Sequence, residues 1–426
     1  MKRIFSCAVL SGLALSAVAL PRADLDAVVI SQTGKVKVSY VLREEPGIVT
    51  VDFQTNTASG AWVSIGVSNF TNVTGAVNRY VGQTGVRKEI FWKPAEAWPG
   101  HVVSNGFRAV VTAWPTNDPP DYAVFAIDGT KKCRFYTCAE AVPGGVGDAQ
   151  YKTNSLVMRR VHADNRRFAM GAAWNERGNS ASADCARHWV SFTNDWYMGI
   201  YELTQSQAQK MFGNRLAIAA HAEEANRDVL PCSQIHFADF IQYRISQANS
   251  ATGGAASFSV PTEAQWEYTC RAGCPMALYN WRELGDDNAN SNPSIASTNL
   301  NAIAWYSYNG GADSTSAVPH PVGLLQANAW GFYDMLGNEP EYCRDYYVDN
   351  PSALFDWSVE QVDPQGPTRA QTSDDGKYRV KRGGGIAVAA SGNCACSRIY
   401  VHGSYNNEGV GIRLQCAAKF NLAEAE

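Results

Sequence analysis

The chain has few charged residues and no long apolar segment after its first twenty residues. Lys, Arg, Asp and Glu make up 18% of the 426 residues, and the formal net charge is −4. Without a basic surplus, the surface lacks the attraction for phosphate that nucleic-acid binding requires. Without a later apolar run of about 20 residues, no membrane span is expected. The 45% hydrophobic content indicates a globular protein, and the length indicates two domains or more.

The first 19 residues have the pattern of a secretory signal peptide. Lys2 and Arg3 form a positive end, an apolar stretch runs from Cys7 to Leu20, and Ala17-Val18-Ala19 supplies small residues for cleavage. The alternative, an uncleaved membrane anchor, is disfavoured because the apolar stretch is short. We therefore expect a bacterial protein that is periplasmic or secreted.

Whether the cysteines form disulfides depends on that compartment. The chain has eleven of them, and Cys7 lies in the predicted signal peptide, which leaves ten. An even set in an oxidising compartment is first interpreted as disulfides. Which cysteine pairs with which does not follow from the sequence.

Residues 24–132 predict an all-β sandwich of the immunoglobulin or fibronectin type. Runs rich in β-branched and aromatic residues, such as Val36–Leu42, Ile48–Phe53 and Phe107–Trp114, are separated by turn residues. A Gly- and Pro-rich stretch at 140–153 is interpreted as a linker. The sandwich is either a spacer or adhesion module, or plain structural support.

The region from 155 to 418 mixes helix and strand signals, which indicates an α+β domain. Thr204 and Thr262 each precede a helical pattern, and Thr262-Glu263-Ala264-Gln265 is a capping box. The spacing of apolar residues predicts another helix over Phe237–Gln247. More than a hundred residues after Gly273 have few regular elements, so metal ions, disulfides or buried polar networks are expected to hold them.

Seven motifs of this region occur in an order typical of one family. They are Arg167–Gly171 (RFAMG), Tyr197–Gln205 (YMGIYELTQ), Val260–Tyr268 (VPTEAQWEY), Pro321–Gly323 (PVG), Asn328–Asn338 (NAWGFYDMLGN), Arg382–Gly384 (RGG) and Gly409–Arg413 (GVGIR). Together they resemble the formylglycine-generating-enzyme, or sulfatase-modifying-factor, family over residues 155–418. The resemblance implies a C-type-lectin-like fold with few regular elements and bound calcium.

In that family, the positions matching Asp334, Gly337, Glu339 and Glu341 bind calcium. Asp334 and Glu341 offer carboxylates, and the turn at Gly337 can direct carbonyl oxygens between them, which suits a calcium ion. The alternative is a turn with two solvated acids. Pro340 stands where the family has a tryptophan. The family's second calcium site corresponds to Asn288–Trp305, which does not align.

The residues that match the family's copper-binding cysteines are not cysteines in this chain. Its enzymes oxidise a sulfatase cysteine to formylglycine with oxygen and Cu(I) held by two cysteines, and the matching residues here are Val388 and Asn393. Cys394 and Cys396 are weak replacement candidates, since residues i and i+2 of a strand share one face. The resemblance also implies a disulfide between Cys270 and one of these two cysteines.

Other chemistry has less support. The histidines are scattered without a metal-ligand spacing, and the His-rich motif of iron-dependent relatives is absent. Aromatic and amide residues crowd Trp305–Asn309 and Tyr400–Asn407, which indicates either packing under loops or a sugar- or peptide-binding face.

Three functions remain open. The favoured one is an exported family member, inactive or rewired, that binds a protein or glycan through calcium-stiffened loops. The alternatives are an active copper-dependent oxidase acting on a sulfatase-like protein, and a structural cell-surface protein.

Overall fold

A computed structural model describes residues 19–101, 106–172, 185–217, 226–233, 235–284, 296–311, 318–403 and 409–424. The predicted signal peptide, apart from its last residue, lies outside the described residues. So do parts of the stretches 288–305 and 400–407. Within the described ranges, no helix is both long and apolar enough to cross a bilayer.

The N-terminal region consists of two facing antiparallel sheets, with strand orders β1-β2-β7-β5 and β4-β3-β6, in which β8 also pairs with β3. Its strands are β1 Arg22–Ile30, β2 Val36–Arg43, β3 Gly47–Asn56, β4 Trp62–Ser64, β5 Thr74–Gly75, β6 Arg79–Val81, β7 Arg87–Trp92 and β8 Phe107–Trp114. A short helix, α1, spans Pro94–Ala97.

Alternating side chains of both sheets form one shared core. Val36, Val38, Tyr40 and Leu42 of β2 are buried, as the period of two predicts for a half-buried strand. Phe53 of the other sheet stacks on Trp92 of β7 with 4.6 Å between ring centroids. This arrangement is the two-layer sandwich expected from the alternating pattern.

The remaining chain has many short elements, in agreement with the predicted α+β fold. Its strands are β9 Tyr122–Ala126, β10 Cys133–Tyr136, β11 Ser155–Val161, β12 Arg166–Met170, β13 His188–Phe192, β14 Trp196–Gly199, β15 Phe258–Ser259, β16 Glu341–Tyr346, β17 Gln361–Val362, β18 Tyr378–Arg382, β19 Arg398–His402 and β20 Gln415–Ala417. Its helices are α2 Gln150–Thr153, α3 Gln205–Phe212, α4 Phe237–Asp239, α5 Ile245–Ala251, α6 Glu263–Arg271 and α7 Thr298–Asn301, with a π-helical turn over Phe240–Arg244 joining α4 to α5.

The main sheet of this region crosses the domain boundary that the sequence predicts at residue 132. Its strand order is β10-β9-β11-β14-β20-β15, so β9, which precedes that boundary, pairs with β11 of the second region, and β10 extends the sheet beyond β9. The predicted linker also packs into the fold, because Val142 and Tyr151 are buried in the core that holds Trp266 and Tyr279. β9 and β10 form a local hairpin, and the long-range pairing of β9 with β11 joins this hairpin to the rest of the sheet.

Two predicted helix starts occur where the sequence places them. The hydroxyl of Thr204 accepts a hydrogen bond from the backbone of Gln207, and that of Thr262 accepts one from Gln265. In each case the glutamine side chain accepts a hydrogen bond from the N-cap backbone in return, completing a capping box. The cap at Thr262 sets the direction of α6, which carries the acids described below.

Candidate functional site

A tight loop follows β18 and is held by one amide side chain. Asn393 is fully buried; its Nδ2 donates to the carbonyls of Val388 (3.1 Å) and Ala389 (2.9 Å), and its Oδ1 accepts from the backbone N–H of Gly385 (2.9 Å). Gly384 has a φ of 80°, and a Cβ there would collide with the Asn393 side chain. The Asn393 amide therefore acts as the structural centre of the loop 385–393.

Two thiols come next in the chain. The sulfurs of Cys394 and Cys396 are 3.7 Å apart, and both residues are buried. The expectation that they lie on a strand is wrong, since they sit in a turn before β19, and the turn itself brings the sulfurs together. Their spacing lies between a disulfide bond of about 2.05 Å and the ~4.6 Å of two thiolates opposite each other on a metal at ~2.3 Å.

Cys270 lies in the same hydrophobic core as these two thiols. Its sulfur is 3.9 Å from the carbonyl oxygen of Met335, and burial raises the pKa of its thiol. The structure contains no disulfide bond among the ten cysteines of the described residues. The bridge from Cys270 to Cys394 or Cys396 stays a prediction.

Buried carboxyl groups surround one guanidinium near the turn at Gly337. Arg413 donates to Glu341 from both Nε and Nη2, with 2.6 Å for the shorter Nη2 contact, and Trp266 Nε1 donates to the same carboxylate at 2.7 Å. Glu202 accepts from the Asn338 side chain at 2.7 Å and from a neighbouring backbone N–H. Asp334 accepts from the backbone N–H of Gly323 at 2.6 Å.

This cluster has more negative than positive charge. Burial, together with the charges of Asp334 and Glu341, raises the pKa of Glu202 well above its usual value. Burial likewise raises the pKa of Asp334 to about 6. Arg413 thus supplies the single guanidinium beside three buried carboxyl groups. Each of these carboxyl groups that is ionised without a counter-charge destabilises the fold.

Glu339 is a fourth buried acid beside the Gly337 turn. Its Cγ lies beside Gly411, next to Cys232, and its Oε1 is buried with no hydrogen-bond partner among the described residues. Burial raises the pKa of this carboxyl well above its usual range. The side chain of Glu339 therefore belongs to a different environment from those of Asp334 and Glu341.

A cavity of about 120 Å³ lies between α6, the end of β18 and the segment 351–367. Its walls are largely apolar and include Met170, Ala264, Pro351, Phe355, Trp357 and Pro367. The Trp357 ring stacks on His188 at 4.1 Å between centroids, which fixes one side of the opening. Cys185 and Cys396 also line the cavity.

The polar floor of this cavity is a set of buried ion pairs. Glu263 binds Arg398 through two hydrogen bonds of 2.7 and 3.0 Å, and Glu267 binds Arg271 at 2.8 Å and also contacts Arg382. Burial alone would raise their pKa values, but the adjacent guanidinium groups hold the pKa of Glu263 and that of Glu267 below the usual value.

Asp345 is the least compensated acid on the cavity floor. It accepts a hydrogen bond from the backbone N–H of Glu263, the first residue of α6, at 2.8 Å. Burial and the Glu263 carboxylate raise its pKa to about 7. Gly366 leaves room for the Asp345 carboxyl, because a Cβ at that position would overlap it. An uncharged or partly charged carboxyl therefore faces a mainly apolar space.

Neither this cavity nor its acids were predicted from the sequence. One signal was available, because Glu263 and Glu267 are four residues apart on a capped helix and so share a face. Asp345 and Arg398 carry no local signal, since they reach the cavity from separate strands.

Within the aromatic stretch at 305–309, one residue packs in the core and others lie at the surface, so the two predicted roles, packing and ligand binding, apply to different residues. Tyr306 is buried and its hydroxyl donates to Asn301 at 2.7 Å, which is packing. Trp305 stacks on His320 with 3.8 Å between centroids, and Tyr308 is exposed. Neither the Trp305 indole nitrogen nor His320 Nε2 has a hydrogen-bond partner among the described residues.

Comparison with known proteins places residues 152–418 in one family. These residues, more than half of the chain, match the profile of the sulfatase-modifying factor enzyme 1-like domain. The chain belongs to this family. The formylglycine-generating enzyme of Bos taurus is 30% identical over 125 residues, which is 29% of each chain, and that of Mycobacterium tuberculosis is 29% identical over 167 residues, 36% of this chain and 48% of the relative.

The chain spans about 29% of the length of the first of these relatives. Among solved structures, PvdO from Pseudomonas aeruginosa aligns with a TM-score of 0.46 at 19% identity, covering 62% of this chain and 94% of PvdO. Similarity over so small a part of the relatives therefore does not establish that this chain has their activity.

The sequence resemblance matches the family's copper ligands to Val388 and Asn393, and neither side chain carries a thiolate. Val388 has no donor atom, and every amide atom of Asn393 is used to hold its loop. Soft thiolates are the ligands that Cu(I) prefers. These two positions therefore do not fit copper.

The charge of the acid cluster suits a calcium ion, but the arrangement of its side chains suits one less well. The surplus of carboxyl groups over Arg413 suits a bound cation. However, among the described residues no group of three or more His, Cys, Asp or Glu side chains is arranged to hold a metal. Calcium beside Asp334 and Glu341 would need backbone oxygens as well, from Gly337 and Glu339, and would share the carboxylate that Arg413 binds.

Proposed function

We propose that this sulfatase-modifying-factor domain has lost copper-dependent oxidation and binds a segment of a protein partner. The observation that carries the proposal is the Asn393 side chain, which occupies the second copper position and is saturated with hydrogen bonds. Converting this position to a metal site would remove the support of the loop. The domain would then keep the family's fold and its cavity while no longer catalysing copper-dependent oxidation.

The cavity between α6 and the segment 351–367 supplies the proposed binding site. Its apolar and aromatic walls suit one apolar side chain of a peptide, and buried anchors of this kind dominate the affinity of many interfaces. The buried ion pairs at the bottom of the cavity hold their side chains in place, and their opposite charges offset each other. One relative, 22% identical over 210 residues, is named a chaperone protein, LppX, of Paenibacillus barcinonensis, which agrees with protein binding.

The proposal includes export through the N-terminal signal and calcium at the acid cluster. Export would place the β-sandwich and the family domain outside the cytoplasm, where a protein ligand is met by diffusion. Calcium would be held by Asp334 and Glu341 with the carbonyls of Gly337 and Glu339, and would stiffen the turn at Gly337.

One observation favours the alternative oxidase. The sulfurs of Cys394 and Cys396 are 3.7 Å apart, and Cys396 lines the cavity. Two thiolates can hold Cu(I). This alternative requires both thiols to be reduced and a sulfatase-like peptide to reach them.

The first test separates the two functions. The reduced mature protein is titrated with Cu(I) against a competing chelator and is then incubated with oxygen and a Cys-x-Pro-x-Arg peptide. We expect no tightly bound copper and no aldehyde product. One tight copper together with product formation would reject the binding proposal and support the oxidase.

The second test addresses the cavity. Peptides are selected from a displayed library on the wild-type protein, and their affinities are measured for Ala186→Trp, at an exposed residue that lines the cavity. We expect the selected peptides to share an apolar residue and to bind the variant at least about tenfold more weakly. The control is Arg187→Trp, at the adjacent exposed residue outside the lining. Equal affinities for both variants would contradict the proposed site.

A further inference from the structure

A wider cleft, of about 650 Å³, opens elsewhere on the family domain. It lies among the residues before β14, the first turn of α6, the segment after β17 and the end of β20. Five side-chain amides line it, and we call it the amide cleft: Asn117, Asn194, Gln265, Gln365 and Gln415. Apart from Gln365, its lining is different from that of the cavity described above.

The charges of the amide cleft nearly cancel. Asp164, Asp195 and Asp363 line it together with Arg160 and Lys419. Asp195 is paired with Arg160 at 2.7 Å. A phosphate-bearing ligand would require a cationic surplus, which this lining lacks. A neutral ligand suits it better.

Amides suit ligands whose groups both donate and accept hydrogen bonds. Each amide offers two donors from its nitrogen and an acceptor oxygen, and a carboxylate adds acceptors. A hydroxyl group donates one hydrogen bond and accepts others, so a ring bearing several hydroxyls pairs with such a lining at many points. Phe192 and Trp196 also line the cleft, and both are almost fully buried, at 3% and 2% exposure.

Two buried polar atoms of lining residues have no partner among the residues that the structure describes. Trp196 is 2% exposed and Gln415 is 9% exposed, and within the described ranges neither Trp196 Nε1 nor Gln415 Oε1 has a hydrogen-bond partner. Buried polar groups are otherwise nearly always paired. One donor and one acceptor left over at the same cleft match the two roles of a hydroxyl group.

Several side chains of the cleft are already held in place. Asp195 accepts hydrogen bonds from the backbone N–H groups of Ala163 and Asp164, each at 2.8 Å. Asp363 accepts from the backbone of Thr193 at 3.0 Å, and Gln265 is fixed by its capping box. A ligand that meets fixed partners loses less conformational freedom on binding.

From this arrangement we infer that the amide cleft is a binding site for a neutral carbohydrate, whose hydroxyl groups pair with Gln415, the neighbouring amides and the indole N–H of Trp196. The site is independent of the peptide cavity and of any metal. A peptide backbone offers amide groups of the same polarity, so the experiment includes a peptide as a competing ligand.

The test titrates the full-length mature protein, labelled with ¹⁵N, with glucose, galactose, mannose, N-acetylglucosamine and a disaccharide of each. Tetra-alanine is the peptide probe. The indole resonance of Trp196 is assigned by its loss in Trp196→Phe. The decisive variant is Gln415→Met, which keeps the side-chain length and removes the amide. Its matched control is Gln361→Met, because Gln361 lines the other cavity and not the amide cleft.

We expect at least one saccharide to bind with a Kd of about 1 mM or tighter, to move the Trp196 indole resonance, and to bind Gln415→Met about tenfold or more weakly. Gln361→Met should keep wild-type affinity. If Gln415→Met does not fold, Asn194→Ala, at an exposed lining residue, is expected to weaken binding in the same way. The inference is overturned if no saccharide moves that resonance, if tetra-alanine alone does so, or if the folded cleft variants bind as tightly as the wild type.

Discussion

The carboxylate of Glu341 and the guanidinium of Arg413 form a buried pair that joins the strand after the Gly337 turn to the C-terminal segment. The shortest contact is 2.6 Å, and neither side chain is more than 1% exposed. Arg413 also donates to the carbonyls of Gly199 and Tyr333, so one guanidinium links three separate parts of the chain.

Replacing Arg413 should therefore be costly. In Arg413→Met the Glu341 carboxylate stays buried without its partner, which is expected to lower the free energy of unfolding by about 3–5 kcal/mol. Urea denaturation measures the loss. The double variant Glu341→Leu/Arg413→Met should recover part of it, because the Glu341 carboxylate no longer stays buried without its partner, although Glu202 and Asp334 still lack the charge of Arg413.

The control for this experiment is Arg369→Ala. Arg369 pairs with Asp375 on the surface, where both side chains are more than half exposed. We expect an unchanged unfolding midpoint. An equal loss in both single variants would show that burial of the Glu341 pair is unimportant.

The Asn393 side chain is expected to stabilise its loop strongly. Asn393→Ala removes three hydrogen bonds and leaves buried backbone groups of the loop without partners, for a loss of about 2–4 kcal/mol. Thermal and urea unfolding measure this. Ser391→Ala, at a partly exposed position of the same loop, is the control. A loss below about 0.5 kcal/mol for Asn393→Ala would mean that the amide does not hold the loop.

Removal of calcium is expected to lower the melting temperature of the family domain. The reason is that Glu202, Asp334 and Glu341 share one guanidinium, so a bound cation would stabilise the folded state by an amount that rises with the logarithm of its affinity. Each kcal/mol lost should lower the midpoint by about 2–4 °C in a domain of this size. The measurement compares melts in EDTA and in excess calcium.

Asp334→Asn serves as the matched variant for calcium. It keeps the shape of the side chain and removes one charge, so its melting temperature should respond less to EDTA than that of the wild type. Identical melts of the wild-type protein with and without calcium would rule out a calcium site that stabilises the fold.

His162 should make stability depend on pH. Hydrogen bonds to Asp121 (2.8 Å) and Asp195 raise its pKa from 6.5 to about 9, against the opposing effects of partial burial and of the Arg160 charge. Because the folded-state pKa is the higher one, the stabilisation is complete below about pH 6.5 and is lost as the pH rises through 9. The side chain is about half exposed, so solvent screening keeps the effect small.

This dependence is measured by comparing the wild type with His162→Gln. The difference in unfolding midpoint should be largest at pH 6 and should disappear near pH 10. Asp121→Asn is expected to reduce the difference by removing the main partner. A difference that is constant over this range would show that the charge of His162 contributes nothing.

Local features could be predicted from the sequence alone. The capping boxes at Thr204 and Thr262 depend on residues three positions apart, and the alternation in β2 depends on neighbours two positions apart. The ordered motifs likewise identified the family over 155–418, which the profile match confirms at 152–418. The resemblance also predicts, from the sequence, that Val388 and Asn393 stand at the positions of the family's copper ligands.

Tertiary structure decided what those residues do. The Asn393 amide holds its own loop, Asp345 faces a cavity, and Gln415 lines a cleft with Asn194, and each relation joins groups whose positions depend on the path of the whole chain. The pairing of β9 with β11 across the predicted boundary has the same origin. Local pattern determines helix caps and strand faces because those interactions are short in sequence; sites are made of long-range contacts, which only the packed chain brings together.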